Sequence, residues 1–249
     1  MAIYLKEFET QAAYEAAESG LILPNVSFIV ENNGIVYKPY VDPYGGHDYV
    51  EIGGLKWATM NIGASSVTNY GLYFQWGDIS GYTYSEITSS AKTLDWANYK
   101  YWTADTGSGS SGFTKYTGSD GKIALDEEDD AAKANWGGNW RMPTTAEYVA
   151  LGNAVNAVWT TNYQNSGVNG FVCTDKTDNS KVLFFPAAGQ GLDNRFNSIG
   201  YNGYYQVSNM YDIKYPIHTE NMMLSSNGNV YWDSYGVRKD GFSIRAVAE

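Results

Sequence analysis

Cysteine and histidine, which commonly serve as nucleophile and proton carrier near neutral pH, are scarce in this sequence. The chain of 249 residues has one cysteine, Cys173, and two histidines, His47 and His218. Cys173 lies in the alternating stretch NGFVCTDK, which is typical of a strand, so we expect a small buried residue and not a catalytic thiol. A single cysteine also excludes an intramolecular disulfide and a cysteine-based zinc site.

Carboxylates are concentrated at 126–130, within the stretch LDEEDDAAKANW. Acid–base catalysis by two carboxyl groups needs environments that push their pKa values apart. These acids instead adjoin one another at the start of a predicted short helix, where negative charge interacts favourably with the helix dipole. We interpret them as a solvated helix face. Because the chain also lacks a phosphate-binding glycine loop and a nucleophile elbow, we predict no enzymatic activity and no cofactor.

Calcium-dependent sugar binding is a separate hypothesis. Oxygen ligands are available in TDNS (177–180), in YWDS (231–234) and at Glu127, Asp129 and Asp130. A calcium site needs roughly six to eight oxygens, and the first two stretches are more simply explained as turns. The prediction is therefore that no metal binds, with calcium kept as an alternative.

The charge of the chain excludes several classes of partner. Its net charge is −11 and its isoelectric point is about 4.6, so a nucleic-acid phosphate backbone would be repelled. No stretch approaches the roughly 18 apolar residues of a membrane span, and Lys6, Glu7 and Glu9 interrupt the region where a signal peptide would be apolar. We expect no nucleic-acid or membrane partner, and release inside a virus particle is one route out of a cell.

Two structural units are predicted. Residues 4–19 favour a helix that ends at Gly20, and LILPNVSFIVENNGIVYKPY predicts a hairpin around Asn32-Asn33-Gly34. Prolines and glycines over 39–46 predict a linker. The small helix-hairpin unit, 1–46, would attach the protein to a larger assembly, and residues 47–249 would form the main domain.

The main domain is predicted to be α+β, with few helices, short antiparallel strands and long loops. A hairpin is predicted to turn at Gly53-Gly54, and PTTAEYVALGNAV predicts a helix capped by Thr144 or Thr145. Strands are predicted at GFVCTD, KVLFFPAA, NMMLSS, NVYWDS and FSIRAVA. Loops as long as those over 63–125 usually carry function.

Five stretches in order resemble a known family: GLKWATMNIGA, YGLYFQWGD, LDEEDDAAKANWGGNWRMPTTAEYVAL, VLFFPAAGQ and GFSIRAV. Together they resemble the C-type lectin-like fold in its formylglycine-generating-enzyme branch, in the version found in gut bacteria and their phages. The resemblance covers roughly 48–249. The formylglycine-generating relatives use cysteine chemistry, which a lone Cys173 in a strand does not support. LPNVSFIVENNGIVYKPY is also similar to a short module of phage structural proteins.

The resemblance implies a diversified binding region near the C-terminus. Many proteins of this branch are targets of diversity-generating retroelements, which mutate adenines late in the gene, and the variable region here would span about 195–240. Seven tyrosines fall between Gly200 and Gly241. Tyrosine with serine and asparagine is also the mixture of antibody paratopes. Adjacent strand residues point to opposite faces, so we expect Tyr205 and Trp232 in the core. The predicted ligand contacts are Tyr204, Gln206, Asn209, Tyr211, Asp212, Tyr215, His218, Tyr231, Asp233 and Tyr235.

The function predicted from these patterns is non-enzymatic recognition of a ligand or receptor. The resemblance implies a phage tail or receptor-binding component that mediates host adhesion, located on the virion or on an extracellular surface. The partner would be a host surface protein or polysaccharide, and homo-oligomers would strengthen weak sites by avidity. The alternatives are a structural virion or scaffold protein, and a carbohydrate-binding adhesin of fixed specificity. An enzyme would need a buried polar cleft around Cys173 or His218.

Overall fold

A short antiparallel pair lies near the N-terminus. In the computed structural model, which describes residues 27–28, 39–40, 43–103 and 112–249, Ser27–Phe28 (β1) pairs with Pro39–Tyr40 (β2). This pairing has the antiparallel direction of the predicted hairpin. The predicted helix over 4–19, the predicted turn at Asn32-Asn33-Gly34 and part of the low-complexity loop lie outside the described residues.

The predicted second hairpin is confirmed. Tyr49–Ile52 (β3) pairs with Leu55–Ala58 (β4). Gly53 and Gly54 form the turn with φ values of 65° and 79°, a region that favours glycine because a Cβ would clash there. The last strand, Val247–Ala248 (β13), adds to β4 with Val247 opposite Trp57. The end of the chain therefore packs beside the start of the main domain.

Three helices are present in the described residues: Tyr84–Thr88 (α1), Ala131–Trp136 (α2) and Thr145–Ala154 (α3). Short 3-10 turns cover Trp96–Asn98, Glu127–Asp129 and Tyr163–Asn165. In α3 the Thr144 hydroxyl accepts from the Glu147 N–H, and the Glu147 carboxylate accepts from the Thr144 N–H. This reciprocal capping satisfies two amides at the helix start and confirms the predicted helix.

The remaining strands form antiparallel meanders and one small hairpin. Val155–Thr160 (β5), Gly170–Asp175 (β6) and Val182–Pro186 (β7) make one sheet. Gln190–Leu192 (β8) pairs with Arg195–Asn197 (β9). Asn202–Met210 (β10), His218–Ser225 (β11) and Val230–Val237 (β12) make another sheet. Small antiparallel sheets with few helices are consistent with the predicted α+β class.

The largest core cluster joins α3 to three sheets. Tyr148 of α3 is fully buried and packs with Trp57 of β4 at a ring distance of 5.2 Å. Phe185 of β7 and Tyr205 of β10 belong to the same cluster, with their rings 5.2 Å apart. The Tyr205 hydroxyl donates to the Pro186 carbonyl at 2.7 Å. The expectation that Tyr205 lies in the core is confirmed, and partly buried Trp232 packs against this cluster.

The closing segment, 241–248, is buried throughout. Phe242, Ile244 and Ala246 lie in the core as expected. The predicted strand FSIRAVA is wrong over most of its length, because only Val247–Ala248 is a regular strand. The rest is extended chain that makes single bridges to several neighbours, among them Phe74 and Tyr205. A different segment flanks each part of it, so a continuous ladder of backbone hydrogen bonds does not form.

Arg245 shows why both sides of the closing segment are buried. Its guanidinium is fully buried and donates to the side-chain oxygen of Asn61 and to the carbonyls of Ala58, Thr59 and Phe184, at 2.8–3.1 Å. It also lies 4.5 Å from the centre of the Phe185 ring. Burial lowers the pKa of Arg245. The alternation of the sequence marked core positions correctly, but the intervening arginine is not exposed.

The segment predicted as a linker is held against the main domain at its C-terminal end. The Pro43 carbonyl accepts from the Asn139 N–H at 2.8 Å. The Trp140 indole donates to the Tyr44 carbonyl at 2.7 Å. Contacts of the main domain therefore begin by residue 43, and the boundary near 46 remains a prediction. Among the described residues, no helix is long and apolar enough to span a membrane.

Candidate functional site

The predicted ligand contacts lie on or beside the sheet of β10, β11 and β12. β11 is the central strand, and β12 is an edge strand of the sheet. Asn221 pairs with Ser234, but Met223 pairs with Tyr231. Two steps along β11 therefore match three steps along β12, so the edge strand contains a bulge at 232–233. A bulge changes which residues of a strand share a face.

The bulge places Tyr231 and Tyr235 on opposite faces of the sheet. Tyr235 pairs with Glu220, and Tyr231 pairs with Met223. Paired residues of antiparallel strands point to the same face, whereas positions 220 and 223 of one regular strand point to opposite faces. Without the bulge, positions 231 and 235 would share a face.

One of these faces is turned toward α3, and we call it the helix face. Glu220 accepts a hydrogen bond from the Thr145 hydroxyl at the first residue of α3. Gly152, in the last turn of α3, packs against the Trp232 indole, because a Cβ there would meet Trp232 at 2.5 Å. His218, Asp233 and Tyr235 share the helix face with Glu220 by the two-residue period of strands. Tyr204, Gln206 and Tyr231 belong to the far face by the same pairing.

Three rings pack together at the end of the helix face, and we call Tyr211, His218 and Tyr235 the aromatic cluster. The ring centres of Tyr211 and Tyr235 are 4.7 Å apart, those of His218 and Tyr235 are 5.4 Å apart, and those of Tyr211 and His218 are 6.3 Å apart. Tyr211 remains 43% exposed and Tyr235 57% exposed. Three side chains from separate parts of the chain thus form one accessible aromatic surface.

The turn between β10 and β11 supports this cluster. The Asp212 carboxylate accepts from the Lys214 N–H at 2.8 Å, and the Asp212 carbonyl accepts from the Tyr215 N–H at 2.9 Å. Tyr215 is 57% exposed. One ring nitrogen of His218 lies 3.3 Å from the Gly236 carbonyl oxygen. Asp212 and Tyr215 therefore adjoin the aromatic cluster, and local hydrogen bonds define their backbone.

Two predicted contacts make hydrogen bonds that hold the sheet to its neighbours. Gln206 is 1% exposed, and its amide donates to the Phe74 carbonyl at 2.6 Å. The prediction that Gln206 contacts a ligand is wrong for this conformation, because the closing segment covers it and Ser243 accepts from its backbone N–H. The side-chain oxygen of Asn209 accepts from the Thr145 N–H at 3.1 Å, so Asn209 connects the sheet to the start of α3.

The other far-face residues are separate from the aromatic cluster. Tyr204 is partly buried and stacks on Phe242 with ring centres 5.5 Å apart. Tyr231 is 46% exposed and faces away from Tyr235. The predicted set is therefore divided between two faces of one sheet. Tyr204 and Tyr231 would contribute to a ligand site only on the far face.

Three acidic residues neighbour the aromatic cluster along the chain or across the sheet. Glu220 pairs with Tyr235, Asp233 lies two residues before Tyr235 on the same face, and Asp212 follows Tyr211. Among the ion pairs of the described residues, none involves these three acids. Lys214 is the basic residue within the adjoining turn. Sequence reasoning missed Glu220, although its spacing from His218 on one strand places both on one face.

The acids at 126–130 form a solvated face only in part, because Glu127 and Glu128 are exposed but Asp129 and Asp130 are buried. Helix α2 starts only at Ala131, and Asp130 is its N-cap, with its carboxylate accepting from the Lys133 and Met142 N–H groups. Burial raises the pKa of Asp130. Asp129 is 1% exposed and points into the protein. The prediction of a solvated face is therefore wrong for Asp129 and Asp130, because long-range partners, which the local pattern does not reveal, surround both carboxylates.

Asp129 is the centre of a buried polar network. Its carboxylate accepts from Lys100 at 2.8 Å, from Lys115 at 2.6 Å, from the Tyr116 hydroxyl at 2.7 Å and from the Tyr101 hydroxyl. Burial opposes its ionisation, but these hydrogen bonds outweigh burial and hold the pKa of Asp129 well below its usual range. The network joins residues 100–101 to residues 115–116, which lie on either side of segment 104–111.

The Lys115 ammonium occupies the candidate metal-binding position at the acids of 126–129. Oxygens of Asp126, Glu128 and Asp129 lie within 4.8 Å of one another. The Lys115 ammonium lies 2.7, 2.9 and 2.6 Å from them, at the position that a cation would take. In and beside TDNS (177–180), Asp175 and Asp178 accept from the backbone N–H groups of their own turn. These contacts match the interpretation of that stretch as a turn.

Cys173 and His47 do not form a catalytic pair in the described residues. Cys173 is fully buried in the main core cluster, and burial raises the pKa of its thiol to about 12. The His47 ring instead stacks on Trp136 at 3.8 Å. A thiol with so high a pKa is not a ready nucleophile. Cys173 is thus placed as expected for a small core residue.

Comparison of the chain with protein-family models, with curated proteins and with solved structures gives no match.

Proposed function

We propose that this protein recognises a ligand non-covalently through the aromatic cluster and the adjoining turn. The observation that carries the proposal is that Tyr211, His218 and Tyr235 form an accessible aromatic surface on a well-supported sheet. Large aromatic side chains give contact area at a low cost in rotamer entropy. A rigid scaffold with exposed side chains is the usual arrangement of a binding site.

The finer fold assignment is part of the same proposal. We assign the main domain to the C-type lectin-like fold, and the support is that all five resembling stretches meet at the closing segment. Trp57 and Arg141 both pair with Val247, Phe74 pairs with Phe242, and Phe184 accepts from Arg245. Stretches that are far apart in sequence therefore form one contiguous part of the core. Their joint resemblance to one family thus concerns a single structural unit.

The proposed setting is adhesion of a phage to its host, with the variable region over about 195–240 supplying different specificities. Residues 1–46 would attach the domain to the virion. The partner would be a surface protein or polysaccharide of the host. This setting rests on the resemblance and on the tyrosine-rich composition. The placement of Tyr211, Tyr215, Tyr231 and Tyr235 at exposed positions is what a diversified surface requires.

Deep sequencing of codons 195–249 in the native population tests the proposal. We expect variation at exposed tyrosine and aspartate codons, above all at Tyr211, Tyr215, Asp233 and Tyr235. Tyr205 and Asn221 are the matched internal control, because their codons also contain adenine but their side chains are buried. Selection for folding should keep both constant.

Two results would contradict diversified recognition. Invariant codons throughout 195–249 would favour a fixed-specificity adhesin or a structural subunit. Variation spread evenly along the whole gene would favour neutral drift. Variation confined to codons of buried residues would contradict the placement of the site.

A further inference from the structure

We propose that the aromatic cluster recognises a protein or peptide segment that presents an arginine or lysine side chain. This inference rests on the proposed function, since it names the class of partner for the same residues. It depends on two independent features of the site. The first is a set of carboxylates that form no ion pair among the described residues, and the second is the exposed ring faces.

The charges beside the cluster favour a cation. Asp212, Glu220 and Asp233 adjoin the rings, and none of them takes part in the ion pairs of the described residues. Elsewhere, acids such as Asp126, Asp129 and Glu147 have a basic partner. With Lys214 as the nearby base, this surface carries excess negative charge. An approaching cation is attracted and an anion is repelled.

The rings add a second attraction for the same kind of group. The face of a tyrosine ring attracts a nearby ammonium or guanidinium. The protein already contains such contacts, with Lys92 lying 4.2 Å from the centre of the Tyr82 ring and Lys100 lying 4.8 Å from that of Tyr101. Tyr211 and Tyr235 offer exposed rings beside carboxylates in the same way.

A polysaccharide fits these features less well. A neutral sugar can stack on tyrosine, but it brings no positive charge to compensate the carboxylates that it would cover. An acidic polysaccharide would be repelled by the site and by the net charge of −11. A basic protein segment satisfies both the rings and the carboxylates.

The test is an NMR titration of the full chain with three probes at low salt. The first probe is the peptide acetyl-Gly-Arg-Gly-amide, and the second is the same peptide with citrulline, the neutral isostere of arginine. The third is maltose, a neutral sugar. We expect the arginine peptide to shift the backbone amides of 211–218 and 231–237, and the citrulline peptide and maltose to shift them far less. High salt should weaken the effect.

Matched variants separate a local site from general attraction by the acidic chain. Asp233→Asn should weaken binding of the arginine peptide about twofold to fivefold, the range for an exposed ion pair. Asp48→Asn changes the net charge equally at a distant exposed residue and should have no comparable effect. Tyr235→Leu, which keeps the apolar surface, should weaken binding about twofold to fivefold. Tyr84→Leu, at another exposed tyrosine, should not.

Equal shifts with arginine and citrulline, or equal effects of Asp233→Asn and Asp48→Asn, would overturn the cationic partner. Shifts at 211–237 with maltose alone would overturn it in favour of a sugar, while ligand recognition at this site would stand. Absence of shifts with every probe would also overturn it, and the sequencing experiment would then decide the proposed function separately.

Discussion

Replacement of Asp129 by asparagine should destabilise the protein strongly. The carboxylate accepts from two ammonium groups, Lys100 and Lys115, and from the hydroxyls of Tyr101 and Tyr116. Asparagine keeps the volume but removes the charge and replaces one acceptor oxygen by a donor. At least one of the four donors must lose its partner.

The magnitude follows from the burial of each partner. Removing one member of a buried ion pair costs about 3–5 kcal/mol. The Asp129 side chain is 2% exposed, but those of Lys100 and Lys115 are 36% and 21% exposed, and Lys115 keeps Asp126 and Glu128. Water and these acids compensate part of the loss. We therefore expect the free energy of unfolding to fall by about 2–4 kcal/mol.

The assay is urea unfolding at pH 7, followed by tryptophan fluorescence. Glu128→Gln is the matched control, because Glu128 contacts the same Lys115 but its side chain is 75% exposed. It should change the free energy of unfolding by less than about 1 kcal/mol. An Asp129→Asn variant no less stable than Glu128→Gln would refute the reasoning.

A pH series adds a second readout. The pKa of Asp129 is lowered in the folded protein, whereas an unfolded aspartate titrates near about 3.9. Its stabilisation is therefore fully present above that value and is lost as pH falls toward the folded pKa. The stability difference between wild type and Asp129→Asn should be constant from neutral pH to about pH 5 and then shrink. A difference that persists unchanged in strong acid would contradict the role of the carboxylate charge.

Three further predictions concern the core. Arg245→Lys should cost about 1–3 kcal/mol in urea unfolding, because lysine cannot reproduce the planar set of donors to Asn61 and three carbonyls and leaves at least one buried acceptor without its donor; the exposed control Arg195→Lys should be nearly neutral, and equal effects would contradict this. Gly152→Ala should lower Tm, because its Cβ would meet the Trp232 ring at 2.5 Å. This clash should outweigh the gain in helix propensity of up to about 1 kcal/mol, and a higher Tm would contradict the packing of Gly152 against Trp232. Cys173 should react with Ellman's reagent only as the protein unfolds, because it is fully buried with a pKa of about 12; fast labelling of the native protein would argue against this placement.

Local sequence patterns predicted the structural elements that depend only on residues close together in the chain. Gly53-Gly54 specified a tight turn because few other residues adopt positive φ, and the spacing of Thr144 and Glu147 specified a helix start because both caps lie within one turn. Alternation identified Phe242, Ile244 and Ala246 as core residues. Composition alone pointed to the tyrosine-rich region, because no long-range contact is needed to recognise it.

Tertiary structure decided what depends on distant partners. Gln206 is buried because Phe74 and Ser243 cover it, and Asp129 is buried because Lys100 and Lys115 converge on it. The separation of Tyr231 from Tyr235 depends on the register between β11 and β12, and a single extra residue in the edge strand changes it. Sequence alone determined which residue types are available for recognition. Strand register and long-range packing determined which of them share one accessible surface, because a side chain's face and burial are set by its neighbours in space.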